Sequence, residues 1–177
     1  MPQNVEIKAR IASPDTIHAR LRALVQEPPV VLLQEDIFFH APHRLKLRRI
    51  RPQGEAQLIV YDRPDLPGPR TSTYTIAPVA HPDALADVLA RALGIQGIVR
   101  KKRWLYLYGQ TRIHVDEVEG LGSFLELEVV LEPGQPEEVG MAIARRLMEQ
   151  LEIHHDALID RAYIDLLSDG DFPTSGR

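Results

Sequence analysis

The sequence predicts an α+β fold in which about eight mostly antiparallel strands carry helices on one side. Three observations point there. Apolar residues recur with a period of two through short segments such as Val5 to Ile11 and the hairpin Thr111 to Leu131. Most connections between these segments are short and turn-rich, which requires antiparallel pairing. The helical segments show one apolar stripe each, which the apolar parity of the strands must cover, and the charged parity is left to face something else.

Taken in order, Val5, Ile7, Ala9 and Ile11 alternate with Glu6, Lys8 and Arg10, the pattern of a strand. Ser13-Pro14-Asp15 supplies an N-cap, a proline at the first helical position and early negative charge for a helix ending near Gln26, where Pro28-Pro29 stops it. Val31 to His40 is a strand with Gln34, Asp36 and Phe38 on one parity. In the next strand, Arg44 to Arg51, Leu45 and Leu47 alternate with Arg44, Lys46 and Arg48, and the slip at Arg49 predicts a strand end or a bulge. Ala56 to Arg63 and the β-branched, aromatic Thr71 to Ile76 are two more strands. A second helix begins at His81-Pro82-Asp83 and ends at Gly94, and Ile98 to Tyr108 is a further strand. Pro136 to Leu151 and Ala157 to Leu167 complete the helices.

At 177 residues and 20.0 kDa the chain fits a single domain over residues 1–168, with a flexible tail at 169–177. Its 21 Lys plus Arg and 25 Asp plus Glu leave a net charge of −4, so the field of the whole molecule does not attract nucleic acid or anionic membrane. There is no cysteine and hence no thiolate chemistry, and no apolar run reaches the ~18 residues of a membrane span. The expectation is a soluble cytoplasmic protein.

The charged parity can face water on an open sheet or line the lumen of a closed barrel, and composition favours neither. The signs are more informative. Lys8, Arg10, Arg44, Lys46, Arg48, Arg63, Lys101, Arg103 and Arg112 stand against Glu6, Asp116, Glu126 and Glu128. Both signs inside one tunnel are costly unless they pair or a charged ligand and metal complete the balance. Converging Arg and Lys suit a polyphosphate, and carboxylates beside them suit Mg2+ or Mn2+, which bridge phosphate oxygens. That combination supports phosphoryl or nucleotidyl transfer.

Asn4-Val5-Glu6-Ile7-Lys8 resembles the ExExK signature of the CYTH superfamily, with Asn4 at its first acidic position. Gln34 to Phe39, Leu45-Lys46-Leu47-Arg48 and Val99 to Arg103 resemble the later basic and aromatic motifs of that family. His114-Val115-Asp116 through Gly122 to Glu126-Leu127-Glu128 resembles its acidic hairpin, so the ordered set spans almost the whole chain. The superfamily includes class IV adenylyl cyclases, thiamine triphosphatases and inorganic triphosphatases. The resemblance implies a closed eight-stranded antiparallel β-barrel, a triphosphate tunnel with a charged lumen and helices packed outside. It implies Lys8, Arg10, Arg44, Lys46, Arg48, Arg63, Lys101, Arg103 and Arg112 on the triphosphate, and Mg2+ or Mn2+ on Glu6, Asp116, Glu126 and Glu128. Lys8, Arg103 and Asp116 are its expected catalytic residues, and a homodimer is an assembly it allows.

The leading expectation is an adenylate cyclase turning ATP into cyclic AMP and pyrophosphate. The nearest alternative is a triphosphatase acting on tripolyphosphate, thiamine triphosphate or a nucleoside triphosphate. A third is a non-catalytic module binding polyphosphate or RNA through outward basic faces of Leu45 to Arg51 and Ile98 to Trp104. His114 is read as a hydrogen-bonded lumen residue, with a part in proton transfer as its alternative.

Overall fold

The computed structural model describes residues 3–62 and 68–169; Arg63 and the tail beyond Asp169 lie outside them. Eight strands form: β1 (Gln3–Arg10), β2 (Val30–Phe39), β3 (Arg44–Arg51), β4 (Glu55–Asp62), β5 (Arg70–Pro78), β6 (Ile95–Tyr108), β7 (Thr111–Val118) and β8 (Gly122–Val130). They close into a barrel in the order β1-β5-β4-β3-β2-β6-β7-β8, every neighbour antiparallel. Helices α1 (Pro14–Leu24), α2 (Pro82–Leu93) and α3 (Glu137–Gln150) lie outside, and a short α4 (Tyr163–Ser168) follows.

The apolar parity decides which face goes outward. Val5, Ile7, Ile113, Val115, Leu125, Leu127 and Val129 are essentially inaccessible, packed under Ile17 and Leu21 of α1 and Ala144, Leu147 and Met148 of α3. Leu85 and Leu89 of α2 cover Ile37, Phe39 and Leu47 of β2 and β3. Fixing these side chains outward fixes their neighbours, at period two, inward. α1 starts where the sequence signals it: the Ser13 hydroxyl accepts from the Thr16 N–H at 3.4 Å, with Pro14 in the first turn. Gly120 and Gly122, both at positive φ, make the tight β7–β8 turn.

Two expectations change. β3 pairs with β2 without a slip from Leu45 to Arg51. Arg49 is simply the outward residue between lumen-facing Arg48 and Ile50, and it pairs with Glu35 and Asp83 on the outer surface. The expected last helix, Ala157 to Leu167, is instead a 3-10 turn at His155–Ala157, an extended stretch and then α4.

The extended stretch has a structural cause. β1 meets β5 over four residue pairs, Gln3 to Glu6, but meets β8 over seven, Asn4 to Arg10, so among the described residues β5 does not continue along the seam beyond Glu6. Leu158 bridges Ala9 there, the Ile159 N–H donates to the Lys8 carbonyl at 2.9 Å, and the Arg70 guanidinium donates to the Ile159 carbonyl at 3.5 Å. Beyond that seam, Tyr163, Ile164 and Leu166 of α4 seat on Phe38, Val99, Val118, Leu121 and Phe124, closing one end of the barrel. The opposite end is the mouth, where Ile76 and Leu107 are exposed.

Candidate active site

Inward parity on all eight strands produces a cavity of about 420 Å³. Lys8, Lys46, Arg48, Lys101, Arg103 and Arg112 line it, as do Glu6, Glu126 and Glu128. Its charged groups fall into three clusters along the barrel.

The deepest is organised by Asp36, which is 1% exposed. Its carboxylate accepts two hydrogen bonds from Arg48, from Nε and Nη2, at 2.7 Å each, one from Lys46 Nζ at 3.1 Å and one from Lys101 Nζ at 3.3 Å. Burial alone would raise its pKa, but the charges of Arg48, Lys101 and Lys46 outweigh burial and hold it well below the usual carboxylate range. One carboxylate does not balance three cations. Burial, followed by repulsion from Arg48, brings the Lys46 ammonium down from 10.5 to about 7 in spite of Asp36.

In the middle cluster, Arg103 makes a fork on Asp116 at 2.7 and 2.6 Å and reaches Glu126 Oε2 at 2.7 Å. Asp116 is fully buried and accepts a further bond from the Tyr163 hydroxyl at 3.0 Å. Its oxygens thus orient Arg103 and Tyr163, and Arg103 Nη2 links it to Glu126. Glu126 is bound on both oxygens, with Lys8 Nζ 3.1 Å from Oε1. Burial raises its pKa, yet Lys8, Arg103 and His114 together keep it well below normal.

Nearer the mouth, donor atoms of His114, Glu126 and Glu128 lie within 4.8 Å of one another. His114 Nδ1 is 3.5 Å from Glu126 and 4.0 Å from Glu128. Glu6 is directly across from Glu128 in the β1–β8 register. Asn4, 2% exposed and lining the same cavity, has a side-chain carbonyl oxygen without a hydrogen-bond partner among the described residues. Carboxylate oxygens, an imidazole nitrogen and an orphaned amide carbonyl fit a divalent cation that bridges phosphate. Toward the mouth, Leu32, Ile50, Ile76 and Leu105 line the cavity together with Gln57, Tyr74 and Arg112.

The remaining predicted site residues are dispersed. Arg10 is exposed, donates to the Leu121 carbonyl at 3.4 Å and lies 5.1 Å from the Phe124 ring. Arg44 pairs with Asp165 of α4 at 2.8 Å. Both have lumen parity at the end that α4 fills, so neither lines the cavity. Of the basic residues expected on an outward nucleic-acid face, Lys46, Arg48, Lys101 and Arg103 point inward, while Arg49 and Arg100 point outward and both pair with Glu35. Two lumen residues carried no sequence assignment. Asp36 was legible only as a lumen-parity acid, and Tyr163, which stands over Lys8 with 3.8 Å from Nζ to its ring centre, gave no local signal.

Comparison with known proteins agrees with this geometry. MJ0240 of Methanocaldococcus jannaschii is 25% identical over 169 residues, covering 92% of this chain and 97% of that protein. The adenylate cyclase CyaB of Aeromonas hydrophila is 28% identical over 139 residues, 71% of this chain and 68% of its own. Among solved structures, the PH1012 protein of Pyrococcus horikoshii superposes with a TM-score of 0.82 at 23% identity, covering 92% of this chain and 98% of that one. HpAC1 from Hippeastrum, which has a dominant triphosphatase activity, gives 0.67 at 16% identity with 96% of each chain covered. No helix among the described residues is long and apolar enough to cross a membrane. The CYTH domain model matches residues 2–163, from the strand that carries Glu6 and Lys8 to the tyrosine that closes the tunnel, and the chain belongs to the CYTH domain family.

Proposed function

We propose that this chain is a metal-dependent enzyme that takes a triphosphate into its barrel, and that it cyclises ATP to cyclic AMP and pyrophosphate. The observation that carries this reading is the two-zone cavity. Below is a column of cations that exceeds the carboxylates pairing with it; above, Leu32, Ile50, Ile76 and Leu105 supply apolar surface among Gln57, Tyr74 and Arg112, suited to an organic head group. The acidic cluster lies between them, next to where a nucleoside would join its phosphate chain. The likeness to CyaB supports the same activity.

In this reading Arg48, Arg103 and Arg112 donate to phosphate oxygens, and Lys8, Lys46 and Lys101 act as point charges beside them. Glu6, Glu126, Glu128 and His114, with the Asn4 carbonyl, would hold Mg2+ or Mn2+. When bound, such a cation would supply charge neutralisation and would make the 3′-hydroxyl more acidic. That oxygen attacks the α-phosphorus, the bond to the β-bridging oxygen breaks, and the hydroxyl proton leaves to solvent or to pyrophosphate. Arg103, held by Asp116, is positioned to offset charge on the leaving group.

A triphosphatase is the second reading, favoured by Lys46, Arg48 and Lys101, whose convergence at the deep end suits a terminal phosphate that water would attack. Incubating the protein with ATP, tripolyphosphate and thiamine triphosphate under Mg2+ or Mn2+ separates the two. Cyclic AMP and pyrophosphate from ATP support the cyclase, phosphate supports the triphosphatase, and no product from any of the three sinks both.

Lys46 also sets a pH dependence. Its ammonium is charged below about 7 in the free protein, and a bound triphosphate restores the charge above that. Binding therefore takes up a proton between pH 7 and the ordinary lysine range, and affinity falls as pH rises through it. Titration calorimetry in buffers of different ionisation enthalpy should show this uptake, and Lys46→Arg should reduce it. Identical proton uptake in Lys46→Arg would assign it elsewhere.

A further inference from the structure

α2 is a helix that the barrel uses on one flank only. α1 buries Ile17 and Leu21, and α3 buries Gly140, Ala144, Leu147 and Met148, but no residue of α2 is buried although most of its 12 are apolar. Leu85, Ala86, Leu89 and Ala90 pack against the strands. Ala84, Val88 and Ala92, spaced four apart, form a second stripe that is exposed, with Val88 at 61%. The apolar surface continues past the helix end into β6 through Leu93, Ile95 and Ile98, all exposed. A helix on a protein surface normally turns charged residues to water there. Single exposed apolar residues are ordinary, whereas a contiguous set marks a contact surface.

The charges of α2 say what fits this surface. Asp83 is held by Arg49 of β3 at 2.7 Å, on the flank away from Val88. Asp87 and Arg91 are exposed, border the stripe and have no ion pair among the described residues. The helix is thus acidic towards its start and basic in its last turn. Laid antiparallel on a second copy of itself, it sets Asp87 of each copy against Arg91 of the other. The same two-fold puts Val88 on Val88 and Ala84 opposite Ala92, and small residues at both flanking positions let the axes approach to about 8 Å. A parallel pairing would face like charges instead.

We infer that α2 is the contact face of a homodimer, paired antiparallel about a two-fold axis at Val88. Leu93, Ile95 and Ile98 extend the contact over the first turn of α2 in the second copy. The choice of a second copy rests on the order of signs along the helix, which is complementary to itself only when reversed. The patch lies on the outer wall, and none of its residues lines the cavity, so the inference stands apart from the proposed activity.

Sedimentation velocity and cysteine cross-linking test this. Wild-type protein at micromolar concentration should sediment at twice its mass of 20.0 kDa. Val88→Asp should raise the dimer dissociation constant at least about 100-fold, and Asp87→Arg or Arg91→Asp alone about tenfold. Asp87→Arg and Arg91→Asp together should bring the dimer back, because the exchanged signs again meet across the two-fold. Within one helix the exchanged order is the weaker one, so such a rescue reports the contact between copies. The chain has no cysteine, so Val88→Cys carries a single thiol. Mild oxidation should join two copies through it and leave Glu149→Cys, at an exposed position of α3, unjoined. Wild-type protein that stays at 20.0 kDa overturns the inference. So does a dimer that Val88→Asp leaves intact, which would place the contact on another face, or a dimer that the exchanged pair does not restore. Should Val88→Asp fail to fold, the rates of cross-linking at the two thiols decide, and equal rates overturn the inference.

Discussion

Replacing Asp36 with Asn should destabilise the ligand-free barrel by about 3–5 kcal/mol, and tripolyphosphate should recover most of that loss. Asp36 is the single carboxylate among Lys46, Arg48 and Lys101, with four hydrogen bonds from them and almost no contact with water. Without it three buried cations repel one another, and an amide cannot replace the lost charge. Under the proposed function a bound phosphate would face the same cations, so Asp36 acts as an internal stand-in for substrate. The variant should consequently show a larger rise in Tm per unit of added tripolyphosphate than the wild type does. The sign with pH is fixed too. Because the folded pKa of Asp36 is depressed, its contribution is complete above the ordinary Asp value of ~3.9 and is lost as pH falls towards the depressed one. Wild-type stability should drop more steeply than that of the variant over that window. Thermal unfolding with and without tripolyphosphate checks both points; equal stability of the two proteins would remove Asp36 from this role.

The same residue shows where sequence stops informing. Parity alone puts Gln34, Asp36 and Phe38 on one face, but Asp36 matters because Lys46 and Arg48 on β3 and Lys101 on β6 converge on it. That convergence is a property of strand register, which no local pattern reveals. Within single hairpins the pattern was sufficient: β7 and β8 run where the alternation and the Glu119 to Gly122 turn place them. It was also sufficient for the outward packing of Val5, Ile7 and Leu127. Asp116 shares its parity with Arg112 and His114, yet Arg103 on the neighbouring strand takes both its oxygens. Arg10 and Arg44 share the parity of Lys8 and Lys46 but stand where α4 ends the lumen. The stopper itself depends on a seam four pairs long between β1 and β5, whose paired residues, from Gln3 with Thr73 to Glu6 with Arg70, lie far apart in the chain. Residues 158–162 carry an amphipathic pattern that a helix would suit, and the unpaired flank of β1 draws them straight instead.

Glu128→Gln should reduce metal-dependent turnover by at least about 100-fold, close to 3 kcal/mol of transition-state stabilisation, while leaving the fold intact. The reason is the difference between the two hairpin glutamates. Glu126 is bound by Lys8 at 3.1 Å and Arg103 at 2.7 Å, so it is already committed to neutralising two buried cations. Among the described residues Glu128 has longer contacts, 3.8 Å to Arg112 and 4.0 Å to His114, and its side chain keeps 20% of its exposure. A carboxylate that is not fully engaged can turn an oxygen to a cation without breaking a strong pair. Glu126→Gln should therefore fail in two ways, losing activity and lowering Tm, because it leaves Lys8 and part of Arg103 uncompensated. Glu128→Gln should fail in one way only. Mn2+ binding followed by electron paramagnetic resonance gives a readout independent of turnover, and Glu128→Gln should weaken it by about 10–100-fold. Mn2+ affinity unchanged in Glu128→Gln would move the cation away from the His114, Glu126 and Glu128 cluster. A matching fall in Tm for both variants would instead mean that Glu128, like Glu126, balances charge in the barrel wall.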